Sequence, residues 1–203
     1  MREHVESFVT EDGALTASRE RGEEMGCTPI GPAGAAALRF LAGVLAARAV
    51  VEVGTGTGTS GLCLLRGMAT DGVLTSIDVE PEYQRAARQA FRQAGFPPSR
   101  YRLIIGRALE VLPRLTDSAY DLVFIDAAQH EYPRYLEVGT RLLRAGGVIA
   151  FNNALPNSQP TQYRDSSAAA LRTLRTLVRN DDTLLPLMLP LGDGLLLALR
   201  AQP

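Results

Sequence analysis

The 203-residue sequence contains no lysine, and all 21 of its basic side chains are arginines. That absence excludes Schiff-base chemistry, a lysine general base and the lysine of a phosphate-binding loop. Histidine is nearly as scarce, with only His4 and His130. The two cysteines, Cys27 and Cys63, form no metal-binding pattern, and Cys63 reads as a small core residue. Two thiols without a secretory signal predict reduced cysteines and a cytoplasmic protein. The first residues, MREHVESFVTEDG, are polar and mixed in charge, unlike a signal peptide. Long apolar runs are also missing. The best candidates for a membrane span are broken by Arg39 and Arg48, or by Pro186, Pro190 and Asp193. A net charge of −1 argues against a general nucleic-acid binder. No internal repeat is present. At 46% apolar residues, the chain suffices for one domain with a sizeable core.

What is present centres on Ala49 to Gly61, AVVEVGTGTGTSG. Val50, Val51 and Val53 predict a buried strand. Gly54, Gly56, Gly58 and Gly61 follow within eight residues, and LCLLRGM then reads as a helix. A strand, a glycine-rich turn and a helix N-terminus bring backbone N–H groups close to a ligand and favour a negative group there. Two cofactor patterns fit. Gly56-Thr57-Gly58-Thr59-Ser60-Gly61 matches the dinucleotide pattern G-x-G-x-x-G. Counted from Glu52 inside the strand, the same stretch reads E-x-G-x-G-x-G, which S-adenosylmethionine (AdoMet) methyltransferases share. A bare strand-to-helix turn is the third reading. A Walker A loop is excluded, because no G-K-[ST] occurs.

The remainder of the chain alternates. Residues 2–25 read as one or two polar-faced helices, with Asp12 capping a helix from about 14 to 25. Helices are predicted at 33–46, 59–69, 81–94, 107–115, 131–144 and 165–180. Strands are predicted at 49–53, 73–78, 101–105, 120–126 and 148–151. A terminal hairpin spans 183–191 and 194–200 across Gly192-Asp193-Gly194. This is an α/β fold: a doubly wound, Rossmann-like, mostly parallel sheet of about seven strands with a C-terminal antiparallel hairpin. Ligands in such sheets bind at the carboxyl ends of the strands. Glu52 to Ser60, Asp78, Gly106 to Ala108, Asp126 and Asn152-Asn153 all come to that edge. Asp78 ends the second strand about 20 residues beyond the glycine loop, where a carboxylate accepts ribose hydroxyls of AdoMet or NAD alike. A helix cap is its plainer role.

From about Cys27 to Arg200 the chain resembles the class I AdoMet-dependent O-methyltransferases, most of all the catechol and caffeoyl-CoA O-methyltransferase-like family and its small bacterial members. The matching pieces are VVEVGTGTGTSGLCLL, SIDVEPEY, IIGRALEVLPRL, DLVFIDAAQHEYPRYLE, LLRAGGVIAFNNAL and LPLGDGLLLALR. The resemblance implies one domain over 1–203, with 1–30 a helical segment and cofactor-covering loop and 31–203 the α/β core. It implies that Glu52, Gly54, Thr55, Gly56 and Ser60 surround the methionine part of AdoMet, that Asp78 holds the ribose, and that Arg107 and Ala108 lie by the adenine. Asp126 falls near the sulfonium, and Cys27 in the loop over the cofactor carboxylate. It also implies a homodimer.

The departures concern metal and base. The family holds Mg²⁺ with an Asp after strand four and an Asp-Asn pair after strand five. Here Asp126 remains and the pair is Asn152-Asn153, a weak or vestigial site for a hard cation, so Mg²⁺ is doubtful. The family's lysine three residues after the first Asp is Gln129, which takes no proton. His130, beside it, is a candidate base and Asp126 its candidate partner, against a plain helix-cap role for His130. Tyr132 and Tyr135 pack or line the acceptor pocket, as does the 154–164 loop. The leading reading is methyl transfer from AdoMet to a hydroxyl oxygen of a small, aromatic acceptor, with little or no metal dependence. The alternatives are a protein that binds AdoMet or S-adenosylhomocysteine with little catalysis, and an NAD-dependent oxidoreductase.

Overall fold

The computed structural model describes residues 2–155 and 164–202. Helices α1 (Arg2–Glu6), α2 (Gly13–Glu24) and α3 (Pro32–Val44) precede strand β1 (Ala49–Val53). Asp12 caps α2 as expected, its carboxylate accepting from Leu15 N at 3.1 Å. Then come α4 (Thr59–Gly67), β2 (Val73–Asp78), α5 (Pro81–Gln93), β3 (Tyr101–Ile105), α6 (Ala108–Val111) and β4 (Tyr120–Ile125). The chain continues with α7 (Tyr132–Leu142), β5 (Leu143–Phe151), α8 (Arg164–Asn180), β6 (Leu184–Leu189) and β7 (Leu195–Arg200).

The seven strands form one sheet in the order β3-β2-β1-β4-β5-β7-β6. The first five are parallel, and β7 runs antiparallel to both β5 and β6. Strand β1 lies inside the sheet, which is why its valines are continuous rather than alternating with polar residues. Val50 packs into one core with Leu38, Leu62 and Phe91, while Val51 and Val53 pack on the other face with Ile149, Tyr132 and Leu174.

Three predicted boundaries move. The helix expected over 107–115 is α6 plus a 3₁₀ turn, Leu112–Arg114, because Pro113 has no N–H to continue α-helical bonding. The helix expected over 131–144 stops at Leu142, and β5 starts at Leu143 instead of Val148. An irregularity in the β4–β5 register between Tyr120 and Leu122, with Gly146 at φ +74°, admits that earlier start. The hairpin is inverted in space: its second strand, β7, is the inner one. Pro186 explains this, since a proline is tolerated on the edge strand β6 and the fully apolar start of β7 is buried. Residues 156–163, most of the loop expected to line an acceptor pocket, lie outside the described residues.

The sheet order reverses direction between β1 and β4, so the crevice beyond their carboxyl ends is the switch point of the fold.

Candidate functional site

Two adjoining cavities open at that edge. The larger, about 410 Å³, is lined by Gly106, Arg107, Ala108, His130, Glu131 and Tyr135 among others. The smaller, about 170 Å³, is lined by Cys27, Thr28, Thr55, Gly56, Ser60 and Tyr83 among others. Gly54, Asp78 and Asp126 line both and mark their junction.

The glycine loop forms because it needs conformations that side chains resist. Gly54 has φ +92°, and an added Cβ would stand 1.9 Å from the backbone oxygen of Asp126. The close approach brings the end of β1 against the end of β4, and Asp126 N donates to Val53 O at 2.8 Å. Helix α2 braces the loop from outside. Ser18 Oγ donates to Thr57 O at 2.9 Å, and Thr57 Oγ1 donates to Ser18 O at 2.7 Å.

Asp78 is oriented by two backbone donors, Gly56 N and Glu80 N, each 3.0 Å from one of its oxygens. The N-cap of α5 is Glu80, so Asp78 supports the helix start without being its cap. Its carboxylate remains on the lining of both cavities.

Glu52 differs from its expected position. It is fully buried and lines neither cavity. Ser60, which does line one, stands in front of it and donates to Glu52 Oε1 at 2.5 Å. Burial pushes the Glu52 carboxyl up to about 7, against the hydrogen bonds of Ser60 and Ser76, which pull it down; negative Asp126 and Asp78 add to the rise.

Asp126 accepts from Asn152 Nδ2 at 3.0 Å and from Asn153 Nδ2 at 3.4 Å. Burial raises its carboxyl to about 6, and the Asn152 bond opposes the rise. This donor set does not suit Mg²⁺. A hard cation takes oxygen ligands, and here the amide nitrogens of Asn152 and Asn153 face the Asp126 carboxylate. Among the described residues, no group of three or more His, Cys, Asp or Glu could hold a metal ion. Asn153 sits at φ +53°, a left-handed conformation that Asn tolerates. Gln129, at the position of the family's lysine, donates to Asn153 O at 2.8 Å and so fixes this turn.

His130 is exposed and shares the larger cavity with Arg107 and Ala108. The expected Asp126–His130 pair does not form: the hydrogen bonds of Asp126 go to the two asparagines. Tyr132 is buried and donates to Asn152 O at 2.9 Å, whereas Tyr135 lines the cavity and donates to Glu131 at 2.7 Å. Cys27 lies at the rim with its thiol facing Gly56, and burial pushes that thiol up.

Sequence reasoning missed Ser76, Gln84 and Ser18. Ser76 pairs in register with Glu52 across β1 and β2, and a serine inside the apolar run VLTSID was a visible signal. Gln84 shares the buried face of α5 with Ala87 and Phe91, where a polar residue needs a partner.

A family model described as O-methyltransferase matches residues 6–201. A curated relative from Mycolicibacterium vanbaalenii, provisionally named an O-methyltransferase, is 52% identical over 199 residues, covering 97% of this chain and 88% of its own. The crystal structure of a Corynebacterium glutamicum protein matches at a TM-score of 0.91 and 31% identity, covering 100% of this chain and 96% of that one. The O-methyltransferase TomG from Streptomyces achromogenes, solved in complex with SAM, shares the fold at a TM-score of 0.86 and 24% identity, covering 98% of this chain and 95% of its own. Among the described residues, no helix is long and apolar enough to cross a membrane.

Proposed function

Because this chain belongs to the O-methyltransferase family, we propose that it moves the methyl group of AdoMet to a hydroxyl oxygen of a small aromatic acceptor without a resident metal. One observation carries the reading: two cavities meet at a junction of Gly54, Asp78 and Asp126, at the switch point of the sheet. The relative solved with SAM shares this fold.

AdoMet, when bound, supplies an electrophilic methyl group on a sulfonium. The smaller cavity takes its methionine portion, where Thr55, Gly56 and Ser60 offer backbone and hydroxyl groups and Cys27 covers the rim. Asp78 accepts the ribose hydroxyls. Arg107 and Ala108 flank the adenine in the larger cavity. His130 shares that cavity, so its imidazole is a neighbour of the nucleobase. Asp126 lines the junction together with Asp78, and with Asp78 on the ribose it takes the proton of the attacking hydroxyl on a carboxylate oxygen. With its carboxyl near 6, it is a carboxylate at neutral pH. Alignment and exclusion of water supply the remaining rate enhancement.

The test is methyl transfer from labelled AdoMet to a panel of phenols, with EDTA or with excess Mg²⁺. Turnover is expected on acidic phenols, with rates in the two conditions within about twofold, because metal stabilisation worth several kcal/mol is not in use. Loss of activity in EDTA overturns the metal-free mechanism. Tight AdoMet binding with no transfer to any phenol replaces the enzyme with a cofactor-binding protein.

In this reading residues 1–203 act as one cytoplasmic domain, with 1–30 covering the cofactor and 31–203 forming the core. We assign the exposed apolar face around Val9, Phe40 (70% exposed) and Val44 (68% exposed) to a second copy of the chain. Sedimentation should give twice the chain mass, and Phe40→Glu with Val44→Glu should give a monomer. A wild-type monomer at assay concentrations refutes the dimer.

A further inference from the structure

The inference concerns Arg19, which lines neither cavity. Helix α2 buries a stripe of Leu15, Ser18 and Gly22. Ser18 is bonded to Thr57 of the glycine loop, and its hydroxyl also lies 3.0 Å from Thr59 Oγ1. Gly22 receives the opposite wall of the smaller cavity, the loop 27–30. Cys27 N donates to Gly22 O at 2.8 Å. A Cβ on Gly22 would stand 2.7 Å from Pro29 Cγ, so a larger residue would push the loop away. Arg19 fixes the far end of that wall, its Nη1 donating to Ile30 O at 2.7 Å. The same guanidinium forks onto Glu11, with Nε 2.9 Å from Oε2 and Nη2 2.6 Å from Oε1. Three nitrogens of one planar group thus meet three acceptors, and the two side chains of the pair are only 18% and 15% exposed. Adjacent residues of one helix therefore hold the two walls of the smaller cavity, Ser18 at Thr57 and Arg19 at Ile30.

We propose that Arg19 is a positioning residue for cofactor binding: anchored by Glu11, it holds the loop 27–30 at its distance from the glycine loop before AdoMet arrives. The proposal rests on the reading that the smaller cavity takes the methionine portion of AdoMet. That cavity reaches Thr59 and Ser60, the first residues of α4, where a helix N-terminus favours the cofactor's carboxylate. The wall facing them belongs to no helix or strand. Among the described residues, no hydrogen bond other than that of Arg19 reaches residues 28–30. Glu11 supplies the rigidity. A guanidinium bonded at two nitrogens cannot swing away from Ile30, and its rotamer freedom is already lost before the cofactor binds. A wall populated in its closed position only part of the time weakens binding by that fraction.

The experiment reads the loop and the cofactor separately, in the full chain. The variant combines Arg19→Met with Glu11→Gln, which removes the pair without leaving one charge of it unpaired. Cys27 sits in the loop with its thiol against Gly56, so its reaction with an aromatic disulfide reagent reports opening without cofactor, while Cys63 is buried. That rate should rise about tenfold or more, and AdoMet affinity by calorimetry should fall about tenfold, for a loop closed about a tenth of the time. Adenosine, which lacks the amino-acid portion, should bind both proteins within about twofold, because it does not distinguish the two loop states. Arg19→Lys keeps the charge but has one nitrogen for three acceptors. It should show the same split at smaller size, which keeps the test available if the double variant does not fold. Faster thiol reaction with unchanged AdoMet affinity means that the loop does not bear on the cofactor, so the reading of the smaller cavity fails and the proposal with it. Unchanged thiol reaction and unchanged AdoMet affinity leave that reading standing and overturn the role of Arg19. An affinity loss shared equally by adenosine makes Arg19 merely structural and overturns it as well.

Discussion

Gly54→Ala is expected to destabilise the protein by roughly 3–5 kcal/mol, summing the strain of a left-handed alanine and the displacement of packed backbone. The added methyl would meet the Asp126 carbonyl at 1.9 Å, and neither backbone can yield cheaply. Gly54 ends β1, and Asp126 follows β4; separating them breaks the bond from Asp126 N to Val53 O. The junction of the two cavities opens at the same point, so AdoMet binding should disappear even where the variant remains folded. Urea unfolding measures the first effect and calorimetry the second. Gly13→Ala is the control, since nothing lies within 4 Å of its added Cβ, and it should be close to neutral. A cost below about 1 kcal/mol for Gly54→Ala, the size of an ordinary substitution, would show that the close approach is not required.

Glu52→Gln should stabilise the protein by about 3 kcal/mol near pH 8. The sign follows from burial. The Glu52 carboxyl rises from 4.5 to about 7 on folding. Below the unfolded value the side chain is neutral in both states and costs nothing. Between about 4.5 and 7 the unfolded chain loses its proton first, and above 7 the folded protein carries the full penalty of a buried charge. The stability difference between wild type and Glu52→Gln should therefore vanish as pH falls toward 4.5, even though Asp126 titrates in the same window in both proteins. Thermal unfolding across that range measures it. A variant less stable than wild type at every pH would show that the hydrogen bonds from Ser60 and Ser76 outweigh desolvation.

Much of this site is visible in the chain itself. Three valines, a run of glycines and Asp78 about 20 residues later define a strand, a turn and a second strand end at one edge, and covalent order alone brings them near each other. The missing lysine and the Asn152-Asn153 pair are sequence facts, and they already point away from the metal-and-lysine chemistry of the resembling family. Interior strands need continuous apolar runs and helices need a 3.6-residue period, so β1, β2 and β4 and the surrounding helices were legible within a few residues. The start of β5 was not, because a bulge depends on the partner strand. Nor was the inverted hairpin, because which strand lies inside depends on what its two faces bury.

The roles of individual polar atoms lay further from reach. Glu52 reads as a cofactor contact from its motif, yet packing puts Ser60 between it and the cavity. Asp126 and His130 are four residues apart, close enough to pair, and the carboxylate instead turns to the two asparagines just beyond the end of β5. Gln84 looks like a surface helix residue until the helix is rotated onto the sheet. Sequence by itself determined the elements, their order, the glycine loop and the absence of a lysine base, because these depend on local sterics and on which atoms exist. Only the tertiary structure decided which hydroxyl faces the cavity, which carboxylate is buried and which side chains the Asp126 carboxylate meets. Those depend on distances between groups far apart in the chain, and hydrogen bonds are lost within about an ångström of misplacement.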